Sequence, residues 1–334
     1  MDRWKVKEIV NQAPRWDSSS EALLLKPYLH ITQQQGKQFR TKLIHTFNQF
    51  YQVPAEILDT LTQIIDILHN SSLLIDDIED SSALRRGITT SHLIYGVPMT
   101  INSANYMYFV AMQLINNFIR GDSTEDLRLH KELTGIFNEE LCNLHRGQGL
   151  DIYWRDNAVI PTEEMYFDMV MNKTGGLFRL TIRLMETLSN FYNPTAASTH
   201  RKSLEPLCNL LGILYQVRDD YLNLTDETMT SNKGFADDIT EGKLSFPIIH
   251  GLNYEKKVLK QRTILDLVMS KTNDVALKRQ VIDFLKENGS MDYTRETIKT
   301  LADLIKQGDY LPDPSNNPDT RMQLQYILNH LSDI

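Results

Sequence analysis

Residues 55–80 read Ala55-Glu-Ile-Leu-Asp-Thr-Leu-Thr-Gln-Ile-Ile-Asp-Ile-Leu-His-Asn-Ser-Ser-Leu-Leu-Ile-Asp-Asp-Ile-Glu-Asp80. Ile57, Leu58, Leu61, Ile64, Ile65, Leu68 and Leu73 almost encircle a helical cylinder, the pattern of a helix buried inside a large bundle. Pro54 suits its start. The apolar run ends in Asp76-Asp77-Ile78-Glu79-Asp80, and on a helix Asp76 and Asp80 stack on one face about 6 Å apart. The pattern returns late in the chain, where Leu210-Leu211-Gly212-Ile213-Leu214-Tyr215 leads into Asp219-Asp220-Tyr221-Leu222-Asn223. A single acidic run is ordinarily a solvated face or a helix cap. Two of them, each emerging from an apolar helix, are costly unless paired or metal-bound. Hard cations such as Mg²⁺ take oxygen ligands and complete their shell with water and phosphate oxygens. Two such faces turned toward each other would hold a metal–diphosphate.

Outward from this stretch, the same helical periodicity recurs at about 20–31, 37–51, 55–77, 100–119, 125–151, 162–189, 203–224, 244–253, 257–271, 274–288, 293–307 and 319–333. The 334 residues include only 15 glycines and 11 prolines, few helix breakers for the length. No period-2 run and no Asn-Gly or Asp-Gly hairpin signal stands out. The segments 190–200 and 308–318 read as surface loops. One all-α domain spanning 1–334 is expected, with the chemistry within 36–243 and further helices over 255–334.

The net charge of −8 and a pI near 5.6 argue against nucleic acid as a partner. An anionic substrate must then be held locally. Cys142 and Cys208 lie in apolar helical patterns and are expected as buried thiols rather than as a disulfide. No signal-peptide run and no apolar stretch of about 18 residues is present, so a cytoplasmic chain without a transmembrane segment is expected.

Cations accompany the acidic clusters. Arg85-Arg86-Gly87 follows Asp80, and two guanidiniums there could fork onto phosphate oxygens. The plainer alternative is salt bridges to Glu79 and Asp80. Gly36-Lys37-Gln-Phe-Arg40 opens a helix, where phosphate is readily bound. Lys173-Thr174-Gly175-Gly176, Lys233-Gly234 and Glu241-Gly242-Lys243 each set a lysine beside glycine, where backbone can approach a ligand. Gln216 shares a helix face with Asp219. His69 shares one with Asp76, and could equally be a satisfied core histidine.

Taken in order, Asp-Asp-x-x-Asp with Arg-Arg-Gly, Gly-Lys-x-x-Arg, Lys-Thr-Gly-Gly, Gln-x-Arg-Asp-Asp-x-x-Asn and Lys-Gly resemble the short-chain trans-prenyltransferases, over residues from about 20 to about 255. The phrases His69-Asn-Ser-Ser-Leu-Leu-Ile-Asp-Asp-Ile-Glu-Asp-Ser and Asp237-Asp-Ile-Thr-Glu-Gly-Lys-Leu-Ser-Phe-Pro are most similar to the fungal-type geranylgeranyl diphosphate synthases. The resemblance implies an all-helical bundle around a deep central tunnel, working as a homodimer. It implies three Mg²⁺ ions, held by Asp76, Asp80 and Asp219 with Asp77 and Asp220 in support. The implied reaction ionises an allylic diphosphate (dimethylallyl, geranyl or farnesyl), condenses the cation with isopentenyl diphosphate, and loses a proton. Arg85, Lys173, Thr174, Gln216, Asn223, Lys233 and Lys243 would hold the allylic diphosphate. Gly36, Lys37, Arg40, His69 and Arg86 would seat isopentenyl diphosphate. Two departures stand out: Gln35-Gly36-Lys37 replaces the frequent Gly-Gly-Lys, and the second motif closes on Asn223 rather than Asp.

Product length follows from whatever closes the tunnel. In farnesyl-producing relatives an aromatic residue four or five positions before the first Asp closes it; here Ser72 and Ser71 stand there. Tyr108, Phe109 and His145 are then the bulky candidates for a deeper floor, and twenty carbons is the expected product. A class I terpene cyclase would need no Gly36-Lys-x-x-Arg seat. A silent regulatory subunit commonly loses one acidic motif, and both are kept here.

Overall fold

The computed structural model describes residues 3–34, 39–194, 202–226, 234–313 and 317–334. Its helices are α1 (Arg3–Val10), α2 (Ser18–Leu24), α3 (Lys26–Thr32), α4 (Phe39–Tyr51), α5 (Ala55–Glu79), α6 (Ser91–Tyr95), α7 (Val97–Leu114), α8 (Thr124–Asp156), α9 (Glu163–Lys173), α10 (Gly175–Tyr192) and α11 (Glu205–Thr225). Then follow α12 (Asp237–Glu241), α13 (Phe246–Tyr254), α14 (Thr263–Met269), α15 (Val275–Glu287), α16 (Ser290–Gln307) and α17 (Pro318–Ser332). The fold is all-α, as the periodicity implied.

The cylinder read from residues 55–80 is α5. Leu61, Ile64 and Leu74 are fully buried, and Pro54 caps the start without a side-chain bond. α5 packs chiefly on α7, α8 on α9 and α10, α10 on α11, and α11 on α16. The long α8 starts from a capping box. Ser123 Oγ accepts from the Asp126 amide at 3.1 Å, and Asp126 accepts in return from the Ser123 amide at 3.3 Å.

The chain departs from these readings at four places. The single helix expected over 20–31 is divided at Leu25, because α3 restarts with Pro27 in its first turn, where a missing amide costs nothing. The helix expected over 162–189 breaks at Thr174 into α9 and α10, and the one expected from 257 begins at Thr263 after a π-turn at Glu255–Leu259. A hairpin was not expected, yet β1 (Leu84–Arg85) pairs antiparallel with β2 (Ile88–Thr89). Its two turn residues, Arg86 and Gly87, have φ of 55° and 79°. Both being positive is what a type I′ turn requires. The Arg86 side chain holds that conformation from outside, donating to the Gln34 carbonyl at 2.8 Å and reaching Asn70 Oδ1 at 3.4 Å. Among the described residues no helix is long and apolar enough to cross a membrane.

Candidate active site

The first acidic motif lies at the C-terminus of α5, and the hairpin folds Arg85 back onto it. Arg85 Nε donates to Asp77 Oδ1 at 2.6 Å, and its Nη2 donates to Asp76 Oδ2 at 3.0 Å. Burial opposes the charge on Arg85, but Asp77 and Asp76 outweigh it and hold the guanidinium above its ordinary range. Arg85 therefore braces two carboxylates rather than standing open as a phosphate fork. Burial, and then the charge of Asp76, push Asp80 up to about 6.

Three residues that the sequence reading passed over complete this corner. Gln148, Asp151 and Arg155 share one face of α8, spaced by three and four. Gln148 Nε2 donates to Glu79 Oε2 at 2.7 Å and to Asp76 Oδ1 at 3.3 Å. Arg155 pairs with Asp80 and donates to the Glu79 carbonyl at 3.0 Å. Asp151 accepts from Lys173 Nζ at 2.6 Å, and that ammonium also lies 4.0 Å from Asp76. The helical spacing beside Gly147 and Gly149 would have exposed this face.

The break at Thr174 carries the link to the second motif. Two close glycine approaches allow it. A Cβ on Gly147 would sit 2.4 Å from the Lys173 amide nitrogen, and one on Gly212 would sit 2.8 Å from Gly175 Cα. Thr174 Oγ1 donates to Gln216 Oε1 at 2.7 Å, and Gln216 Nε2 donates to Asp220 Oδ1 at 2.8 Å. Asp220 is fully buried and also accepts from Tyr166 at 2.6 Å, Lys243 at 3.2 Å and the Phe246 amide at 2.8 Å. It ties α9, α11 and α13 together. Burial works against the Lys243 ammonium, yet Asp220, Asp238 and Glu241 hold it well above its usual range. A narrow crevice is lined by Asp151, Lys173, Gln216, Asp220 and Lys243, between the two corners.

Asp219, half-buried, makes no hydrogen bond or ion pair among the described residues. Asn223 differs from the expectation of a diphosphate contact. It is buried, and its Oδ1 accepts from the Asp238 amide at 3.1 Å, pinning the start of α12.

A cationic corner lies beside the first motif. Arg40 Nη1 donates to His69 Nε2 at 2.8 Å. Burial, then the charges of Arg40, Arg86 and Arg85, hold His69 well below its ordinary pKa, so it is a neutral acceptor. Burial lowers Arg40 and Arg86 as well, and Arg86 is pushed down further by Arg85 and Arg40. Three guanidiniums around a neutral imidazole repel one another, and a bound anion relieves that repulsion. Gly36, Lys37 and Lys233 lie outside the described residues.

For product length, Ser71 is fully buried and Ser72 Oγ donates to the His69 carbonyl at 2.8 Å. Tyr108 packs its ring 5.7 Å from that of His145. Phe109 does not belong with them: it is 66% exposed, on the outward side of α7. His145 is also exposed, and its Nδ1 donates to the Leu141 carbonyl of its own helix at 2.7 Å.

Carboxylate oxygens on α5 and α11 are the donor set a hard cation takes. Asp80, raised by burial and then by the like charge of Asp76, fits with Asp76 a divalent ion between them. Among the described residues no three acidic, histidine or cysteine side chains form a complete cage. The fit is that of an ion shared with phosphate oxygens and water.

Residues 21–285 match the Polyprenyl synthetase family model. The chain is 51% identical over 300 residues to the geranylgeranyl pyrophosphate synthase of Eremothecium gossypii, covering 89% of this chain and 91% of that one. It is 43% identical over 284 residues to the enzyme of the same name from Mucor circinelloides, covering 85% and 86%. Against the Fusarium fujikuroi geranylgeranyl pyrophosphate synthase it is 43% identical over 296 residues, 87% of this chain and 65% of that one.

Proposed function

The chain belongs to the Polyprenyl synthetase family, and from that premise we propose that it is the trans-prenyltransferase that makes geranylgeranyl diphosphate from isopentenyl diphosphate and allylic diphosphates. The observation that supports the site is the path from Asp76 through Lys173 and Thr174 to Gln216 and Asp220, which links the first acidic motif to the second.

In the reaction the allylic C–O bond breaks and its electron pair leaves on the diphosphate. The double bond of isopentenyl diphosphate attacks the cation, and loss of a proton to the departing diphosphate restores an alkene. Asp76, Asp80 and Asp219 would hold Mg²⁺, three ions in all, which when bound supplies charge neutralisation to the leaving diphosphate. Asp77 and Asp220 orient the motifs through Arg85 and through Tyr166, Gln216 and Lys243. Lys173, Thr174, Lys233 and Lys243 hold the allylic diphosphate, with Gln216 positioning Thr174. Gly36, Lys37, Arg40, His69 and Arg86 seat isopentenyl diphosphate; in support, the crowded guanidiniums at Arg40 and Arg86 favour an anion. Tyr108 bounds the growing chain, with the exposed His145 against its outer side rather than in the floor.

A homodimer is supported by exposed apolar residues on α6 and α7: Leu93, Ile94, Val97, Met99, Phe109 and Met112. Cys208 is buried as expected, whereas Cys142 is exposed on α8; a cytoplasmic setting suits both free thiols. The test offers radiolabelled isopentenyl diphosphate and Mg²⁺ with dimethylallyl, geranyl or farnesyl diphosphate. Twenty-carbon product from farnesyl diphosphate is expected. No incorporation from any primer would mark a non-catalytic subunit, and a fifteen-carbon end point would overturn the product length.

A further inference from the structure

We propose that the turn at residues 255–262 docks the protein on an anionic lipid bilayer. The segment reads Glu255-Lys256-Lys257-Val258-Leu259-Lys260-Gln261-Arg262, between α13 and α14. Its one acid is turned inward. Glu255 is 1% exposed, and its carboxylate accepts from the Ile264 amide at 2.8 Å and the Leu265 amide at 3.2 Å, capping α14. The backbone closes as a π-turn that ends on Lys260, a non-glycine residue with φ of 57°. Every residue from Lys256 to Arg262 is exposed.

The exposed residues of the segment, Gln261 apart, are therefore cationic or aliphatic. Val258 is 60% exposed and Leu259 is 40% exposed, directly between lysines. Among the described residues Lys256, Lys257 and Lys260 form no ion pair, while Arg262 pairs with Asp266 at 2.7 Å. On a chain of net charge −8 this is a local reversal of sign. Lysine heads at the level of lipid phosphates with short aliphatic side chains below them is the arrangement of an interfacial contact. Exposed Val258 and Leu259 set between lysines favour a fluid anionic surface over an acidic protein. The binding stands on the turn alone; its benefit, a short path for a twenty-carbon product into lipid, rests on the reaction assigned above.

The full chain is sedimented with phosphatidylcholine vesicles made with or without phosphatidylserine, at low and high salt. Binding is expected only with phosphatidylserine and at low salt. Combining Lys256→Glu, Lys257→Glu and Lys260→Glu should weaken it on the order of a hundredfold, and Val258→Ser with Leu259→Ser about tenfold. Prenyl transfer by both variants without vesicles should match the parent, which shows that they fold. No sedimentation, equal binding to neutral vesicles, or undiminished binding of the lysine variant would overturn the proposal. Retention on polyglutamate without vesicle binding would overturn it in favour of an acidic protein.

Discussion

Gly147 and Lys173 are in backbone contact: a side chain of even one carbon on Gly147 would lie 2.4 Å from the Lys173 amide nitrogen. This approach seats the end of α9 so that the Lys173 ammonium reaches Asp151 and Asp76. Gly147→Ala must push α8 and α9 apart. A displacement near 1 Å costs on the order of a hundredfold in rate, and overpacking costs about 1–3 kcal/mol. Gly149→Ala meets nothing within 4 Å and should keep its activity. Steady-state rates and thermal melts of the two variants decide the matter; equal activity would remove Gly147 from the positioning of Lys173.

The acidic motifs and the all-helical bundle were legible because both are local signals: a 3.6-residue apolar period and carboxylates four apart. The break at Thr174 was not, because its cause lies across the bundle, in Gly147 and Gly212. Nor was the hairpin. Arg-Gly is not a usual type I′ pair, and the positive φ of Arg86 is held by contacts to Gln34 and Asn70. Gln148, Asp151 and Arg155 were within reach of the sequence, since their spacing alone puts them on one face. Phe109 was beyond it: apolar residues surround α7, so periodicity does not say which side faces in.

Glu140 is 2% exposed and receives two guanidiniums, Arg179 at 2.8 Å and Arg183 at 2.6 Å. Arg179 also donates to the Met171 carbonyl at 2.5 Å and to Asn209 at 2.9 Å, so the pair clamps the end of α9 to α8 and α11. Glu140→Ala would strand a buried positive charge. The expected loss is about 3–5 kcal/mol by urea unfolding. A loss below about 1 kcal/mol, the range of surface ion pairs, would show the cluster to be solvated.

Tyr108 and Phe109 are neighbours in sequence with opposite surroundings. Tyr108 lies against His145 and is pushed above its ordinary pKa by burial and then by Glu79 and Asp76, while Phe109 faces out. Tyr108→Ala should yield chains longer than twenty carbons, read by chromatography of the hydrolysed products. Phe109→Ala should keep the twenty-carbon end point and weaken self-association, read by sedimentation equilibrium. The reverse assignment would place Phe109 inside.

His250 Nδ1 lies 2.8 Å from Ser290 Oγ, and its ring stacks on Tyr293 with centroids 4.3 Å apart. Burial lowers its pKa from the ordinary 6.5, with Glu163 opposing. The unfolded chain then binds the proton more tightly, so stability is fully present above pH 6.5 and is lost as pH falls below it. His250→Gln should be less stable than the parent at neutral pH, and the gap should narrow on acidification. Thermal melts from about pH 5 to pH 8 span the titration of an ordinary histidine. A gap that stays constant across that range would mean His250 carries none of the acid sensitivity.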